Sequence, residues 1–294
     1  MKVPYFLYAR VLKWFDKHGT DEQYIKWMFL RRLGYWPNLK TPQTFNEKMN
    51  WIKLNDKNPK FIEYADKVKV RQYINDVLGE EYLIPLLGVY DRAEDIDFNT
   101  LPDRFVLKCN NGAGFNVICK DKNSLDKDEV RYKLNKWLKT DFSRGKREWY
   151  YHEMPPKILC ETYMEDKHSD TLFDYKVFCV KGKVRFIQVD FDRFAEHRRN
   201  IYDTDWHLLE WGINFPRDEK RTVERPAELE KMIEFAEKLS AEFHQVRVDF
   251  YIINEKLYFG EMTFFSGGGF TKFVPSSIDL EIGRLMDDVP FASK

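Results

Sequence analysis

Between Val246 and Phe265 the chain reads VRVDFYIINEKLYFGEMTFF, two alternating runs that meet at Asn254 and Glu255. Residues two apart on a strand share a face, and a short polar pair between two such runs closes an antiparallel hairpin. DYKVFCVKGKVRFIQVDFDR holds a second hairpin, turning within VKGKV. Three more strand-like segments, RFVLKCN, FNVICK and KILCETYM, follow Arg104, with a charged helix around Lys127 to Leu138 between the second and third. Strands that come in antiparallel pairs, with helices interspersed, favour an α+β fold over a doubly wound parallel sheet.

The first sixty residues read as helices broken by GYWPNLKTPQTFNEKMNW, in which Thr44 and Glu47 form a capping box ahead of Met49, Trp51, Ile52 and Leu54. FIEYADKVKVRQYINDVLG has helical spacing throughout and stops at Gly79, and YLIPLLGVY is a short strand. An amphipathic helix runs from Pro226 through PAELEKMIEFAEKLSAEF, and a last helix spans about Ile278 to Met286 after SGGGF. A chain of 294 residues has room for one large or two modest domains. The texture divides it into a helical region 1–60, a linking segment 61–104, a strand-rich unit 105–160 and a second one 161–294.

Lysine plus arginine, 48, equals aspartate plus glutamate, so the chain is not built mainly to coat nucleic acid. The four cysteines, Cys109, Cys119, Cys160 and Cys179, show no metal spacing and sit in apolar strands as small buried hydrophobes, which fits a reducing cytoplasm. Arg10 and Lys13 interrupt the first apolar run, so it does not read as a signal peptide. No stretch reaches the roughly 20 apolar residues that span a bilayer. The first helix, with Phe6, Trp14 and basic residues, is either packed on the body or laid at the inner face of a membrane.

Three constellations carry chemistry. In the hairpin, Arg247 and Asp249 share one strand face, as do Glu261 and Thr263, and the two carboxylates are expected to face each other across the ladder. Facing carboxylates beside a hydroxyl suit Mg²⁺ shared with phosphate oxygens; the plainer alternative is a cross-strand Arg–Glu pair. In FVLKCNNGAGFN, Lys108 precedes a glycine-containing loop whose backbone N–H groups could cradle phosphate, although the spacing is neither a P-loop nor a Rossmann turn and a simple hairpin loop serves as well. ILCETYMED is a strand ending at Glu161 before a turn, either a hinge able to pair with an adenine edge or a plain exit to solvent.

The order of these parts resembles the ATP-grasp superfamily, and in detail its TupA-like branch, associated with cell-surface polysaccharide synthesis. TFNEKMNWIKL, ADKVKVRQYI, EEYLIPLLGVY, FVLKCNNGAG, DYKVFCVKGK and YFGEMTFFSGGG carry the resemblance across nearly the whole chain. It implies two α+β subdomains clasping ATP behind a helical N-terminal region. By position, Lys67 and Lys108 resemble the lysines that hold the ATP phosphates. The loop Asn110 to Asn116, with Gly112, Ala113 and Gly114, resembles the lid, and Glu161, Thr162 and Tyr163 resemble the adenine hinge. Asp249 and Glu261 look like Mg²⁺ ligands, and Arg247 and Lys176 like catalytic cations. The superfamily's third ligand is Asn two residues after the glutamate; here it is Thr263, which makes a second ion less secure. Asp166 is expected at the ribose, with Glu165 and Asp170 close by.

The resemblance implies a carboxylate–amine ligase working through an acylphosphate, on a saccharide-linked carboxylate and an amine. Arg193, Arg198 and Arg199 are candidates for binding the acceptor carboxylate, and Trp206 or Trp211 for stacking on a sugar. Two rivals remain open: a glycosyltransferase using the Asp190/Asp192 DxD, and a kinase sharing the phosphoryl-transfer half.

Overall fold

The computed structural model describes residues 5–167, 173–191, 197–221 and 223–291. It opens with a helical hairpin, α1 (Tyr5–His18) and α2 (Asp21–Arg32), followed by α3 (Phe45–Asn55). The capping box at Thr44 forms as expected, with the Thr44 hydroxyl accepting from the Glu47 N–H and the Glu47 carboxylate accepting from the Thr44 N–H. The next helical stretch departs from expectation. FIEYADKVKVRQYINDVLG is two helices, α4 (Lys60–Ala65) and α5 (Val70–Val77), because the Asp66 carboxylate accepts the Val68 N–H at 2.9 Å and turns the chain between them. Lys67 sits in that break.

A four-stranded antiparallel sheet follows, formed by β1 (Leu86–Tyr90), β2 (Phe105–Cys109), β3 (Asn116–Cys119) and β4 (Ile158–Thr162) in the order β1-β4-β2-β3. Strand β1, within the segment 61–104, thus belongs to this sheet through its pairing with β4. One face packs on α6 (Lys127–Leu138) through Phe105, Leu107, Val130, Leu134 and Ile158. Alternation along β2 turns Val106 and Lys108 to the other face. After the short α7 (Ser143–Lys146), a five-stranded antiparallel sheet is built from β5 (Asp174–Val180), β6 (Lys183–Phe191), β7 (Arg198–Tyr202), β9 (Gln245–Ile253) and β10 (Lys256–Thr263), with β8 (Gly212–Ile213) set apart between β7 and β9. Its order is β10-β9-β5-β6-β7. Helix α8 (Leu229–Ser240) covers one face with Leu229, Met232, Ala236 and Leu239, and every residue of the central β5 is buried. Both predicted hairpins close with left-handed turn residues, Lys181–Gly182 and Asn254–Glu255. β11 (Phe273–Val274) pairs with β8, and α9 (Ser277–Arg284) ends the fold. All four cysteines are free and buried. Among the described residues no helix is long and apolar enough to cross a membrane.

Helix α3 turns a polar stripe inward. Asn46, Asn50 and Lys53, at i, i+4 and i+7, are at most 1% exposed. The Lys53 ammonium donates to the carbonyls of Gly268 (2.6 Å) and Lys146 (2.9 Å) and to the Asn50 side chain, the Asn50 amide donates to the Gly269 carbonyl, and Asn46 brackets Thr271 from both sides. Three consecutive glycines with φ of +62°, +72° and +74°, Gly267 to Gly269, let the loop after β10 curl into this clamp.

Candidate active site

In the β9–β10 hairpin Asp249 faces Glu261 and Arg247 faces Thr263. A bulge at Gly260 produces this register. Up to Phe259 the pairing would place Glu261 opposite the buried Val248; the extra residue shifts it onto the Asp249 face. Glycine suits the close approach there, since a Cβ would lie 3.0 Å from the Asp249 carbonyl oxygen and from the Tyr251 ring and would force a small shift. Arg247 holds Asp249 with two bonds, Nε to Oδ1 at 2.6 Å and an Nη to Oδ2 at 2.7 Å. It also reaches Glu261 Oε1 (3.2 Å), Thr263 Oγ1 (3.1 Å) and Ser266 Oγ (3.2 Å). The Thr263 hydroxyl donates to Glu261 Oε1 at 3.1 Å.

Lys176 lies in the neighbouring β5, opposite Asp249 in the ladder. Its ammonium bonds Asp174 and stands 3.4 Å from Asp249 and 3.9 Å from Asp190. Burial raises the Asp249 carboxyl above the ordinary range, only partly opposed by Arg247 and Lys176. Glu261 goes the other way. Burial alone would raise it, yet Lys67, Arg247 and Lys176 bring it down to about 2, so it stays ionised across the neutral range. Arg247 is held more firmly charged than a free guanidinium, because Asp249 and Glu261 outweigh the effect of its burial.

The break between α4 and α5 aims Lys67 at two elements: its ammonium donates to the Gly112 carbonyl at 3.1 Å and sits 3.8 Å from Glu261. Lys108, on the facing sheet, bonds Glu161 at 2.5 Å, and Arg71 bonds the other Glu161 oxygen at 3.1 Å. Glu161 is therefore a buried acid between two cations, and its side chain faces the cleft. The Thr162 N–H is taken by the Pro85 carbonyl, leaving Tyr163 and Met164 as the outer end of the segment. Between the two sheets runs a cleft of about 580 Å³, lined by Ile84, Val106, Ile118, Met164 and Ile253, and Lys108 and Glu161 line both it and an adjoining hollow that holds Lys67, Arg71 and Glu261. Gly114 and Asn116 of the loop border it, Gly114 with φ +77°.

Other predicted residues lie elsewhere. The Asn110 side chain is wholly buried, donating to the Pro155 carbonyl and accepting from the Lys157 N–H, so it fastens the base of the loop to the strand before β4. Ala113 is exposed at the tip. Glu165 is exposed and paired with Arg104, and Asp166 is half-buried beside it. Arg199 is not open to a carboxylate acceptor: it is buried, with Nε 2.5 Å from Asp190 and an Nη on the Ile213 carbonyl. Arg198 is half-buried at the start of β7. Asp190 accepts from Gln188 as well as Arg199, while Asp192, Arg193 and Asp170 lie outside the described residues. Trp206 stacks on Tyr202 at 4.3 Å and donates to the Val223 carbonyl, and Trp211 packs edge-on against Phe186.

Sequence reasoning passed over Arg71, Asp174 and Ser266. Arg71 stands four residues after Lys67, and Asp174 two before Lys176 on one strand face, so spacing could have flagged both. Ser266 touches Arg247 only because of the glycine loop, for which the sequence holds no local signal.

None of the curated proteins matches the chain in sequence. Solved structures that align with it include a D-alanine–D-alanine ligase from Bacillus anthracis complexed with ATP (16% identity, 84% of this chain and 63% of that one, TM-score 0.40). Another is an L-amino acid ligase from Bacillus licheniformis (14% identity, 95% and 59%, TM-score 0.46). The chain spans about three fifths of the length of each. A family model described as TupA-like ATPgrasp matches residues 47–287. The chain belongs to the TupA-like ATP-grasp family and has its α+β fold, with a helical N-terminal region.

Proposed function

We propose that the protein is an ATP-dependent carboxylate–amine ligase. One observation carries the reading: five cations, Lys67, Arg71, Lys108, Lys176 and Arg247, converge with Asp249 and Glu261 at the end of an apolar slot. A flat base fits the slot, with Tyr163 and Met164 at its outer edge and Asp166 beyond as the candidate for the ribose. The phosphates then meet Lys67 and Lys108, point charges suited to non-bridging oxygens.

The donor set fits Mg²⁺. Two carboxylates offer hard oxygens; Glu261 Oε2 stands 3.8 Å from Lys67, and 37% of the Glu261 side chain is exposed. Asp249, Glu261 and, more weakly, Thr263 would hold the ion, which would supply positive charge to offset that of the phosphates. Arg247 is fixed by Asp249, Thr263 and Ser266, so its charge is set in place before reaction and lowers the cost of negative charge developing on the acyl oxygen as the amine adds. Lys176 balances the acids behind it. The glycine loop 110–116 borders the slot where exclusion of water protects an acylphosphate. An amine displaces that phosphate to give an amide.

The acceptor is a uronate or other carboxylate of a cell-surface polysaccharide or its precursor, handled at the cytoplasmic side of the membrane; the family resemblance supports this part. With Arg199 locked on Asp190, Arg198 and Arg193 are the remaining arginines for its carboxylate. The test is incubation with Mg·ATP, candidate uronates and amino acids. Formation of ADP, phosphate and an amide is expected. ADP with a stable phosphorylated acceptor replaces the ligase with a kinase, and binding of a sugar nucleotide without ATP removes both.

A further inference from the structure

We infer that the α1–α2 hairpin is a docking surface for anionic phospholipid. Residues 1–44 hold eight Lys and Arg against three Asp and Glu, whereas the remaining 250 residues hold 40 against 45. The positive excess of this neutral protein is therefore gathered in this N-terminal stretch, and six of its eight cations lie in the hairpin itself. The three acids there are already neutralised: Asp16 by Arg144 and Arg147, Asp21 by Arg147, and Glu22 by Lys26. Arg10, Lys13 and Lys17 are exposed and have no carboxylate partner among the described residues. Helical spacing sets Arg10, Trp14 and Lys17 on one face of α1.

Aromatic rings complete the surface. Trp14, Phe15, Trp27 and Trp36 form a continuous row with centroids 4.9, 6.0 and 5.7 Å apart, and its two ends are open to solvent, Trp14 at 56% and Trp36 at 54%. Exposed indoles flanked by lysine and arginine match the boundary between headgroups and acyl chains, where the ring sits in the interface and the cations meet phosphate. An apolar protein partner would leave those charges unpaired. The hairpin lies outside the part that matches the family, which begins at residue 47. It is nonetheless firmly mounted: Leu12, Tyr24, Ile25, Met28 and Phe29 form a core closed by Phe270, the residue after the clamped glycines. Lipid binding would therefore hold the glycine loop and the metal hairpin close to the bilayer.

The choice of a membrane as the source of phosphate rests in part on the surface-polysaccharide reading, but binding is measured without ATP and so stands or falls separately from ligase activity. Full-length protein is sedimented with phosphatidylcholine vesicles and with mixed phosphatidylcholine–phosphatidylglycerol vesicles. Binding to the mixed vesicles only, weakening with salt, is expected. R10E/K13E/K17E, all exposed positions, should lower it by about tenfold or more, and W14A/W36A should lower it several-fold, with the thermal midpoint unchanged. If W14A/W36A does not fold, the charge variant decides alone. Wild-type protein that ignores mixed vesicles, binds both kinds equally, or binds regardless of the charge variant overturns the inference. So does a wild-type dimer that W14A/W36A converts to monomer, which would make the hairpin an interface between copies.

Discussion

The two sheets face the same cleft with opposite surfaces. The four-stranded sheet offers an almost apolar face, Val106 and Ile118, with one acid, Glu161, held between Lys108 and Arg71. Its hydrophobic core is separate from that of the rest of the molecule. The five-stranded sheet offers an ionic lattice reaching across all five strands: Glu261, Arg247, Asp249, Lys176, Asp174, Asp190 and Arg199. Most of these groups lean on two others, so removing one strands its neighbours. On the proposed reading the first surface would receive a flat apolar body, and the second, its charges already fixed by one another, would need little rearrangement when a polyanion arrives.

Substitutions can break that contrast, and Lys176→Met should have the largest effect. It leaves Asp174, Asp190 and Asp249 without their shared cation in a buried setting, and denaturant unfolding should show a loss of about 3–5 kcal/mol along with all turnover. Glu261→Gln keeps the shape and should lower ATP turnover by about 10²–10³-fold or more, with the fold retained at a smaller cost in stability than Lys176→Met as its cations lose a partner; full activity would exclude the metal site. Lys108→Met, on the other sheet, should act mainly on nucleotide binding, raising KM for ATP by about tenfold, the loss of one charge-assisted contact. If its kcat falls as far as that of Glu261→Gln, the two sheets do not divide the task.

The smallest effect lies in the helical frame. Asp279 accepts from the Asn46 backbone and side chain, but burial outweighs these bonds and raises its carboxyl to about 6. A raised folded value stabilises below the unfolded value, near 3.8, and that contribution is lost as pH rises through about 6. Wild-type stability should therefore fall relative to Asp279→Asn between those limits, measured by denaturant midpoints at several pH values.

Much of this was legible in the sequence where chemistry is local. Alternation in VRVDFYII and the Asn-Glu turn predict the β9–β10 hairpin, and Thr44 with Glu47 predicts the start of α3. Where a distant partner decides, legibility fails. Plain parity from the turn sets Asp249 against Gly260, so the facing carboxylates depend on a bulge that one glycine does not announce. The helical period of 61–79 hid a turn made by the Asp66 side chain. Arg199 and Trp206 resembled open binding groups because nothing near them in sequence shows Asp190 or Tyr202 already in contact. Nothing local marks the polar stripe Asn46–Asn50–Lys53 as buried, because its partners lie in a loop more than 200 residues away.

Lys67, at the break between α4 and α5, bonds Gly112 on the loop and stands 3.8 Å from Glu261 on β10. Its ammonium has three protons to donate: the Gly112 carbonyl takes one at 3.1 Å, while Glu261, at its distance, lies beyond hydrogen-bond reach. On the proposed reading, a phosphate would take one of the protons left over, so a single side chain would tie the loop to the bound nucleotide and make the position of Gly112 answer to whether the slot is filled.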